Sequence, residues 1–490
     1  MMADCEIPAL RLRRANDAPL RGERHYVLYW MIAQRRLASN FALQHAAARA
    51  RQLGVPLVIF EALRVDYPWA SDRIHRFVLD GMVDNLAAAQ GRPVVYFPFV
   101  EKAPAQGAGL LEALAGSAAC VVTDEFPCFF LPAMVESVAA RLDVALEVVD
   151  SNGLLPLRAA DRPFARAVDL RRWMQKHLAE HLVELPVEDP LRDLPAPAPN
   201  LLDAIEKRWP RTDPVAAVRP EALAVLPIDH EVEVVGTRGG AVVAAARLER
   251  FLCFRLARYV DGRTDLEQRA TSELSAHLHF GHIGVHQVFG ALAAQERWTP
   301  DRLGHTANGK REGWWGMSPP AEAFLDELVT WRELGYLTAY HQRDHDRYEG
   351  LPSWARATLE LHQDDHRPYL YDREALELGR THDPIWNAAQ GELRTEGTIH
   401  NYLRMLWGKK ILEWTASPRE AFDLLVELNN RWSIDGRNPN SYTGISWVLG
   451  RYDRPWAPQR PIFGSIRYMS SASTARKIKL ERYLRRYGAS

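Results

Sequence analysis

The stretch AVVAAARLERFLCFRLARYV, residues 241–260, divides the chain into two halves of different character. Its apolar residues recur at helical spacing with no internal Gly or Pro, directly after the breaker pair Gly239 and Gly240. Beyond it, residues 321–338 and 398–413 repeat the helical period and strand signals almost vanish. The second half therefore reads as a mostly helical domain that holds a ligand between helices rather than on a sheet. Before it, apolar runs at 26–30, 55–60, 94–99, 120–123 and 146–149 alternate with amphipathic segments. That alternation predicts an α/β domain with a largely parallel sheet. No GxGxxG follows the first of these runs, so a dinucleotide site there has no motif support. Pro186 to Pro227 is rich in proline and includes PAPAPN, a composition that suits an extended connector. The chain is accordingly divided into an α/β domain over 1–180, a connector over 181–235 and a helical domain over 236–490.

With 47% hydrophobic and 25% charged residues, the composition is that of a globular protein rather than a disordered one. Cys5, Cys120, Cys128 and Cys253 show neither metal-ligand nor disulfide spacing, which predicts a reducing, cytoplasmic location. The amino terminus has no apolar core of signal-peptide length, and no run approaches the length of a membrane span, so export and membrane insertion are not expected. The net charge of −1 gives no global attraction to nucleic acid, but residues 451–490 hold ten Lys or Arg against two acids. That segment reads either as a set of phosphate contacts or as a solvated basic surface.

Eleven of the fifteen tryptophans lie between Trp298 and Trp456, more than a Leu/Ala helical core requires. Planar side chains in such number suit stacking on a base or an isoalloxazine ring as well as packing. Trp407 and Trp414 are seven apart on one predicted helix, close to two turns along one face, and Trp386 lies upstream. In RTDLEQRATSELSAHLHFG, residues 263–281, the hydroxyls of Thr271, Ser272 and Ser275 either cap a helix or point at an anion, with Arg263 or Arg269 adding charge. In FLDELVTWRELGYLTAY, residues 324–340, Glu327 and Trp331 share a helical face, placing a carboxyl group beside an indole. The pairs His341/His345 and His362/His366 lack HExxH and sit in polar surroundings, so they read as structural or surface residues and no metal site is expected. LNNRWSIDGRNPNSYTGISW, residues 428–447, reads as an ordered polar loop offering Asn429, Asn430, Arg431, Asp435 and Arg437, with Arg404 able to pair with Asp435.

These segments, in order, resemble the class II cyclobutane pyrimidine dimer photolyases of the photolyase and cryptochrome superfamily. The resemblance is carried by TSELSAHLHFG at Thr271, FLDELVTWREL at Phe324, WARATLELH at Trp354, THDPIWNAAQ at Thr381, HNYLRMLWGKKILEW at His400, DGRNPNSYTGISW at Asp435 and RPIFGSIRYMS at Arg460. Looser matches are HYVLYWMIAQRRLASNFAL at His25, GVPLVIFEAL at Gly54 and VVDSNGLLP at Val148. VTDEFPCFFLP at Val122 departs from the family's Pro-Leu-Arg, which leaves a second, antenna chromophore open. RTDL, NYLRMLW and GRNPNSY also differ from the family's RNDP, GFLRMYW and GRDPNGY, changes that bear on substrate preference.

The resemblance implies a helical domain that holds folded FAD. It implies that Thr271, Ser272 and Ser275 contact the flavin phosphates, that Arg404 and Asp435 pair against the flavin, and that Asn429 lies beside flavin N5. It further implies that Glu327, with Met405 nearby, hydrogen-bonds a flipped dimer held by stacking on Trp331 and Trp447. Trp407, Trp386 and Trp414 correspond to the flavin-proximal, middle and surface members of an electron-transfer chain. The implied activity is light-driven repair of cyclobutane pyrimidine dimers in UV-damaged DNA by electron transfer from reduced FAD, by a monomer. A cryptochrome-like signalling flavoprotein is the alternative; Glu327, Trp331 and Trp447, and the lack of a long carboxy-terminal extension, weigh against it.

Overall fold

The computed structural model describes residues 6–488; Cys5 lies outside them. Two compact units interleave along the chain. The first comprises the residues up to Asp161, His177–Glu249 and Glu273–Pro300; the second comprises Arg162–Lys176, Arg250–Ser272 and the residues from Asp301 onward.

The first unit is built on a six-stranded sheet of order β1-β6-β5-β2-β3-β4. Its strands are β1 (Leu12–Arg14), β2 (Tyr26–Met31), β3 (Leu57–Leu63), β4 (Val94–Val100), β5 (Ala118–Asp124) and β6 (Leu146–Val149). All pairings are parallel except β1 with β6. Every residue of β2, YVLYWM, is buried, as expected of a parallel strand covered on both faces. The five strands expected from the sequence are present with boundaries within a few residues. The edge strand β1 was not expected, because three residues, two of them arginines, carry no alternating signal.

Helices α1 (Phe41–Leu53) and α2 (Asp72–Ala89) start at side-chain caps. Asn40 Oδ1 accepts from the amides of Ala42 and Leu43, and Ser71 Oγ accepts from that of Ile74. At the end of β5, the buried Asp124 carboxylate accepts from the amides of Ile32, Ala33 and Gln34 at 2.8–2.9 Å and from Tyr29 Oη at 2.7 Å. That single side chain therefore fixes the loop leaving the central strand. The proline-rich interval is folded onto this unit: it forms Asp203–Glu206, Pro214–Ala217 and Pro220–Leu223, and buries Trp209, Leu223 and Leu226.

The second unit is helical. Residues 241–260, read as one helix, are α-helical only over Ala241–Arg250, of which the residues up to Glu249 belong to the first unit; the hydrogen bonding then widens to a π segment at Phe251–Arg255 in the second. A second π segment, Asp326–Trp331, follows the helix Pro319–Leu325. In the first, Phe251 packs against Phe324 at 4.6 Å and Tyr259 at 5.8 Å, and burial of these rings accompanies the irregular turn. Apolar spacing does not distinguish a π turn from an α turn, which is why the sequence missed both. Four further helices frame the rest: α3 (Pro384–Glu396), α4 (Asn401–Trp414), α5 (Pro418–Trp432) and α6 (Pro439–Val448). Among the described residues no helix is long and apolar enough to cross a membrane.

The first unit also buries two histidines among aromatic rings. His277 and His282 each lie 5.1 Å from Phe77, and His282 accepts from the Gly240 amide. Burial pushes His277 down to about 3 and His282 well below the usual histidine range. Above the usual range neither the folded nor the unfolded chain carries these protons, so nothing is lost. Below it the unfolded chain binds protons that the folded unit refuses, so stability falls steadily as pH drops from the ordinary histidine value of 6.5 towards about 3. Urea unfolding at stepped pH should show a loss on the order of a few kcal/mol across this window. His277→Phe should flatten the slope.

Candidate active site

Three helices of the second unit begin with the same local device, a capping side chain followed by proline. Asp383 accepts from the amides of Ile385 and Trp386 ahead of Pro384, Ser417 from Glu420 ahead of Pro418, and Asn438 from Asn440 ahead of Pro439. The Asn-Pro pair thus starts a helix rather than marking a turn within a long loop. Residues 428–432 end α5 and residues 439–447 belong to α6, so the loop expected over 428–447 shrinks to 433–438.

The short loop brings Arg404, Asn429 and Asp435 together. Arg404 Nη1 donates to Asn429 Oδ1 at 2.8 Å, and its Nη2 lies 3.6 Å from Asp435 Oδ1. Ser433 Oγ also donates to Asp435, at 2.5 Å. Gly436 permits the turn: a Cβ there would stand 2.8 Å from the Asn429 carbonyl and 3.0 Å from the Asn430 Cα. The other polar candidates serve the scaffold. Buried Arg437 donates to the carbonyls of Asn430, Ser433 and Ile434 at the end of α5, Arg431 pairs with Glu377, and Asn430 donates to Tyr442 Oη.

Glu327 and Trp331 lie in one π segment, as their spacing suggested, but Glu327 has a partner the sequence did not indicate. Arg263 Nη1 donates to Glu327 Oε1 at 2.7 Å, so Arg263 is engaged here and is not free to flank Thr271. Burial raises the Glu327 carboxyl above the usual range; the Arg263 guanidinium opposes that shift without reversing it. Trp331 and Trp447 stack on each other, with ring centroids 5.1 Å apart and planes at 26°. The two rings leave no room for a third between them, so they form one half-exposed aromatic wall rather than a sandwich. Met405 is half-buried on α4, one residue from Arg404.

Thr271 and Ser272 are half-buried in the second unit, whereas Ser275 is exposed in the first, where it opens the short helix Ser275–His279. The cap position of that helix is Leu274, which has no side-chain cap, so Thr271 and Ser272 are not its caps.

The three tryptophans of α3 and α4 are buried. Trp386 Nε1 donates to the Trp407 carbonyl at 2.9 Å, and the Trp386 and Trp414 rings meet edge to face at 5.5 Å. Trp386 thus touches the backbone of Trp407 and the ring of Trp414. Trp414 is not at the surface, however: it is 2% exposed, covered by Tyr371 at 5.4 Å and His382 at 5.3 Å. Its position on the same face of α4 as Trp407 carries it inward with that ring. Trp407 Nε1 donates to Gln390 Oε1 at 2.9 Å, and Gln390 Nε2 donates to the Glu377 carbonyl at 2.9 Å. Gln390 lies within the NAAQ signature, yet a glutamine carries no chemistry that would single it out.

Two of the histidines considered as metal ligands, His345 and His362, have ordinary partners. His345 Nδ1 contacts the Gln342 carbonyl, and His362 Nδ1 lies 2.6 Å from Asp365.

A deoxyribodipyrimidine photo-lyase of Methanothermobacter thermautotrophicus is 34% identical to this chain, covering 98% of both. One from Oryza sativa subsp. japonica is 35% identical over 94% of this chain and 86% of its own, and one from Potorous tridactylus is 30% identical over 96% and 83%. No protein-family model matches. The crystal structure of a class III photolyase from Agrobacterium tumefaciens superposes with a TM-score of 0.68 over 95% of this chain and 86% of that one, at 18% identity, and so shares the fold.

Gln390→Leu should leave the Trp407 indole N–H and the Glu377 carbonyl unpaired in the interior. Each unpaired group costs about 1–3 kcal/mol. Equilibrium unfolding by urea measures the loss, which should exceed that of an exposed control such as Gln363→Leu.

Proposed function

The chain belongs to the deoxyribodipyrimidine photo-lyase family, and we propose that it repairs cyclobutane pyrimidine dimers in DNA by light-driven electron transfer from reduced FAD, as a class II-like enzyme. The observation that carries this reading is the placement of Glu327 and the Trp331–Trp447 wall on adjoining elements of one unit, an arrangement suited to a planar, carbonyl-bearing lesion. A flavoprotein that only signals has no use for it.

The donor set fits a flavin. Arg404 offers a cation bonded to the Asn429 amide at 2.8 Å and 3.6 Å from the Asp435 carboxylate, a set that suits the alternating donors and acceptors of the isoalloxazine edge. On this reading these three hold the ring, and Thr271 and Ser272 of the same unit bind the phosphates. Bound FAD in its reduced form would supply, on absorbing blue or near-ultraviolet light, the electron that opens the cyclobutane ring.

The remaining work falls to the protein. The lesion leaves the duplex, which costs less for a weakened base pair than for an intact one. Trp331 and Trp447 stack against it with their outer face, and Met405 packs alongside. Glu327, shifted towards its protonated form by burial, donates to a pyrimidine carbonyl as negative charge develops there. Trp407, Trp386 and Trp414 conduct the electrons that keep the cofactor reduced. The partner is UV-damaged DNA, bound by one copy of the chain.

Purified protein should show flavin absorption bands and restore dimer-containing oligonucleotides in light but not in the dark. Normal flavin bands without repair would overturn the assignment. Trp407→Phe should abolish photoreduction yet leave chemically reduced enzyme able to repair. Glu327→Ala should lower the repair rate by about 100-fold, and Glu327→Gln, which keeps a donor, by less.

A further inference from the structure

Lys409 is a buried cation with no part in the chemistry proposed for the site. It lies on α4 two residues beyond Trp407, is 1% exposed, and its Nζ donates to the backbone carbonyl of Val448, the last residue of α6. A lysine is rarely enclosed for packing alone, because its ammonium loses water that an aliphatic side chain does not need. Burial pushes Lys409 down to about 7; the charge of Asp453 opposes the shift and that of Arg467 adds to it. Asp453 and Arg467 are themselves paired at 2.8 Å.

What Lys409 holds is the end of the helix that carries Trp447. The carbonyls of Ser446 and Trp447 accept from the amides of Arg451 and Gly450, both at 3.0 Å, and that of Val448 accepts from Lys409. The last carbonyls of α6 are thereby satisfied, with a cation at the negative pole of the helix. Gly408 lets the two helices approach: a Cβ there would stand 2.5 Å from Val448 Cγ2. The turn beyond α6 is fixed from a second side. Tyr452 Oη donates to Thr338 Oγ1 at 2.7 Å, on the helix Arg332–His341 that continues from Trp331.

We propose that Lys409 is a positioning residue for the dimer: by holding the end of α6 on α4, it keeps the Trp331–Trp447 wall in register with Arg404 and Met405. The proposal rests on the lesion-binding reading above, and Lys409 acts through Trp447 alone. A long stem reaches the carbonyl from the neighbouring helix, and a charged donor binds it more strongly than a neutral one. Without that bond the Val448 carbonyl is left unpaired in the interior, and the end of α6 shifts or frays to reach water, taking Trp447 with it. The incoming ligand must then order the wall as it binds, which lowers its affinity.

The test is equilibrium binding of the flavin-loaded protein to a dimer-containing duplex and to the same duplex without the dimer, together with repair by the chemically reduced protein. Lys409→Met keeps an unbranched stem and removes the donor. It should weaken dimer binding by about 5-fold, while repair at saturating dimer and binding to the undamaged duplex hold. In a Trp447→Ala background the same substitution should have no further effect, because the ring it positions is gone; a merely structural loss would persist there. The unaltered protein carries a second readout. Above about 7 the neutral amine is the weaker donor, so dimer affinity should fall as pH rises through that value, in Glu327→Gln as in the unaltered protein but not in Lys409→Met. Where Lys409→Met does not fold, the pH profiles of the other two proteins decide. Full dimer affinity in Lys409→Met, an equal loss in the Trp447→Ala background, or a flat pH profile in Glu327→Gln would overturn the proposal alone. An unaltered protein that loads flavin yet binds both duplexes equally would overturn the lesion-binding reading and this proposal together.

Discussion

Burying an indole favours pairing its N–H, and in the second unit Trp386, Trp407 and Trp432 are paired while the buried Trp314 Nε1 is not. Leaving one unpaired costs about 1–3 kcal/mol, a sizeable part of the net stability of any domain. Trp407 donates to Gln390, Trp386 donates to the Trp407 carbonyl, and Trp432 donates to the Glu377 carboxylate. Gln390 closes the thread by donating to the Glu377 carbonyl, while Arg373 and Arg431 neutralise the Glu377 charge. Four helices are tied by this thread: Arg373–Glu377, α3, α4 and α5. Neither α4 nor α5 can slide without breaking one of its bonds. Arg404 on α4 and Asn429 on α5 are thereby held in register for their own bond.

Where local physics decides the outcome, the sequence was legible. Asp383-Pro384, Ser417-Pro418 and Asn438-Pro439 each pair a capping acceptor with a residue whose fixed φ suits the first helical turn and each opens a helix, a local signal that the expectation of a loop over 428–447 overlooked at Asn438. The apolar runs of β2 to β6 announced a buried parallel sheet for the same reason. Arg404 with Asp435 was legible through the recognised motifs, although Asn429 holds the guanidinium more closely than the carboxylate does. What remained hidden depends on segments far apart in sequence. Arg263 and Glu327 are 64 residues apart, and nothing in either neighbourhood specifies the other. The burial of Trp414 depends on Tyr371, 43 positions earlier by the difference of the two residue numbers, folding over it. The mutual stacking of Trp331 and Trp447 likewise arises only when the π segment meets α6.

The Glu327–Arg263 pair shows how two opposed effects are weighed. Burial penalises the carboxylate, and the guanidinium at 2.7 Å stabilises it. Both side chains retain about a third of their exposure, so water screens their attraction, and the pair stabilises the fold little. The carboxyl accordingly remains above its usual range despite a full positive charge beside it. A group in that condition can exchange its partner at small cost. An incoming carbonyl that accepts a hydrogen bond from the protonated Glu327 would favour the neutral acid further, because that bond exists only in the protonated form and the ligand excludes water from it. The guanidinium would then be left to face whatever negative charge develops on the ligand.

The aromatic residues of the second unit separate into two kinds by what surrounds them. Trp386 and Trp407 are enclosed, with their N–H groups bonded and their ring edges fixed by neighbouring helices, and Trp414 is enclosed with them. A ring that must hold a transient charge benefits from such enclosure, since fixed distances and excluded water keep the charge from wandering or reacting. Trp331 and Trp447 instead bury one face against each other and leave the pair half-exposed. A ring that binds a planar ligand needs that free face, and mutual stacking keeps both indoles oriented before the ligand arrives, which lowers the entropy lost on binding. Burial and partner, rather than residue type, thus distinguish the two sets of tryptophans.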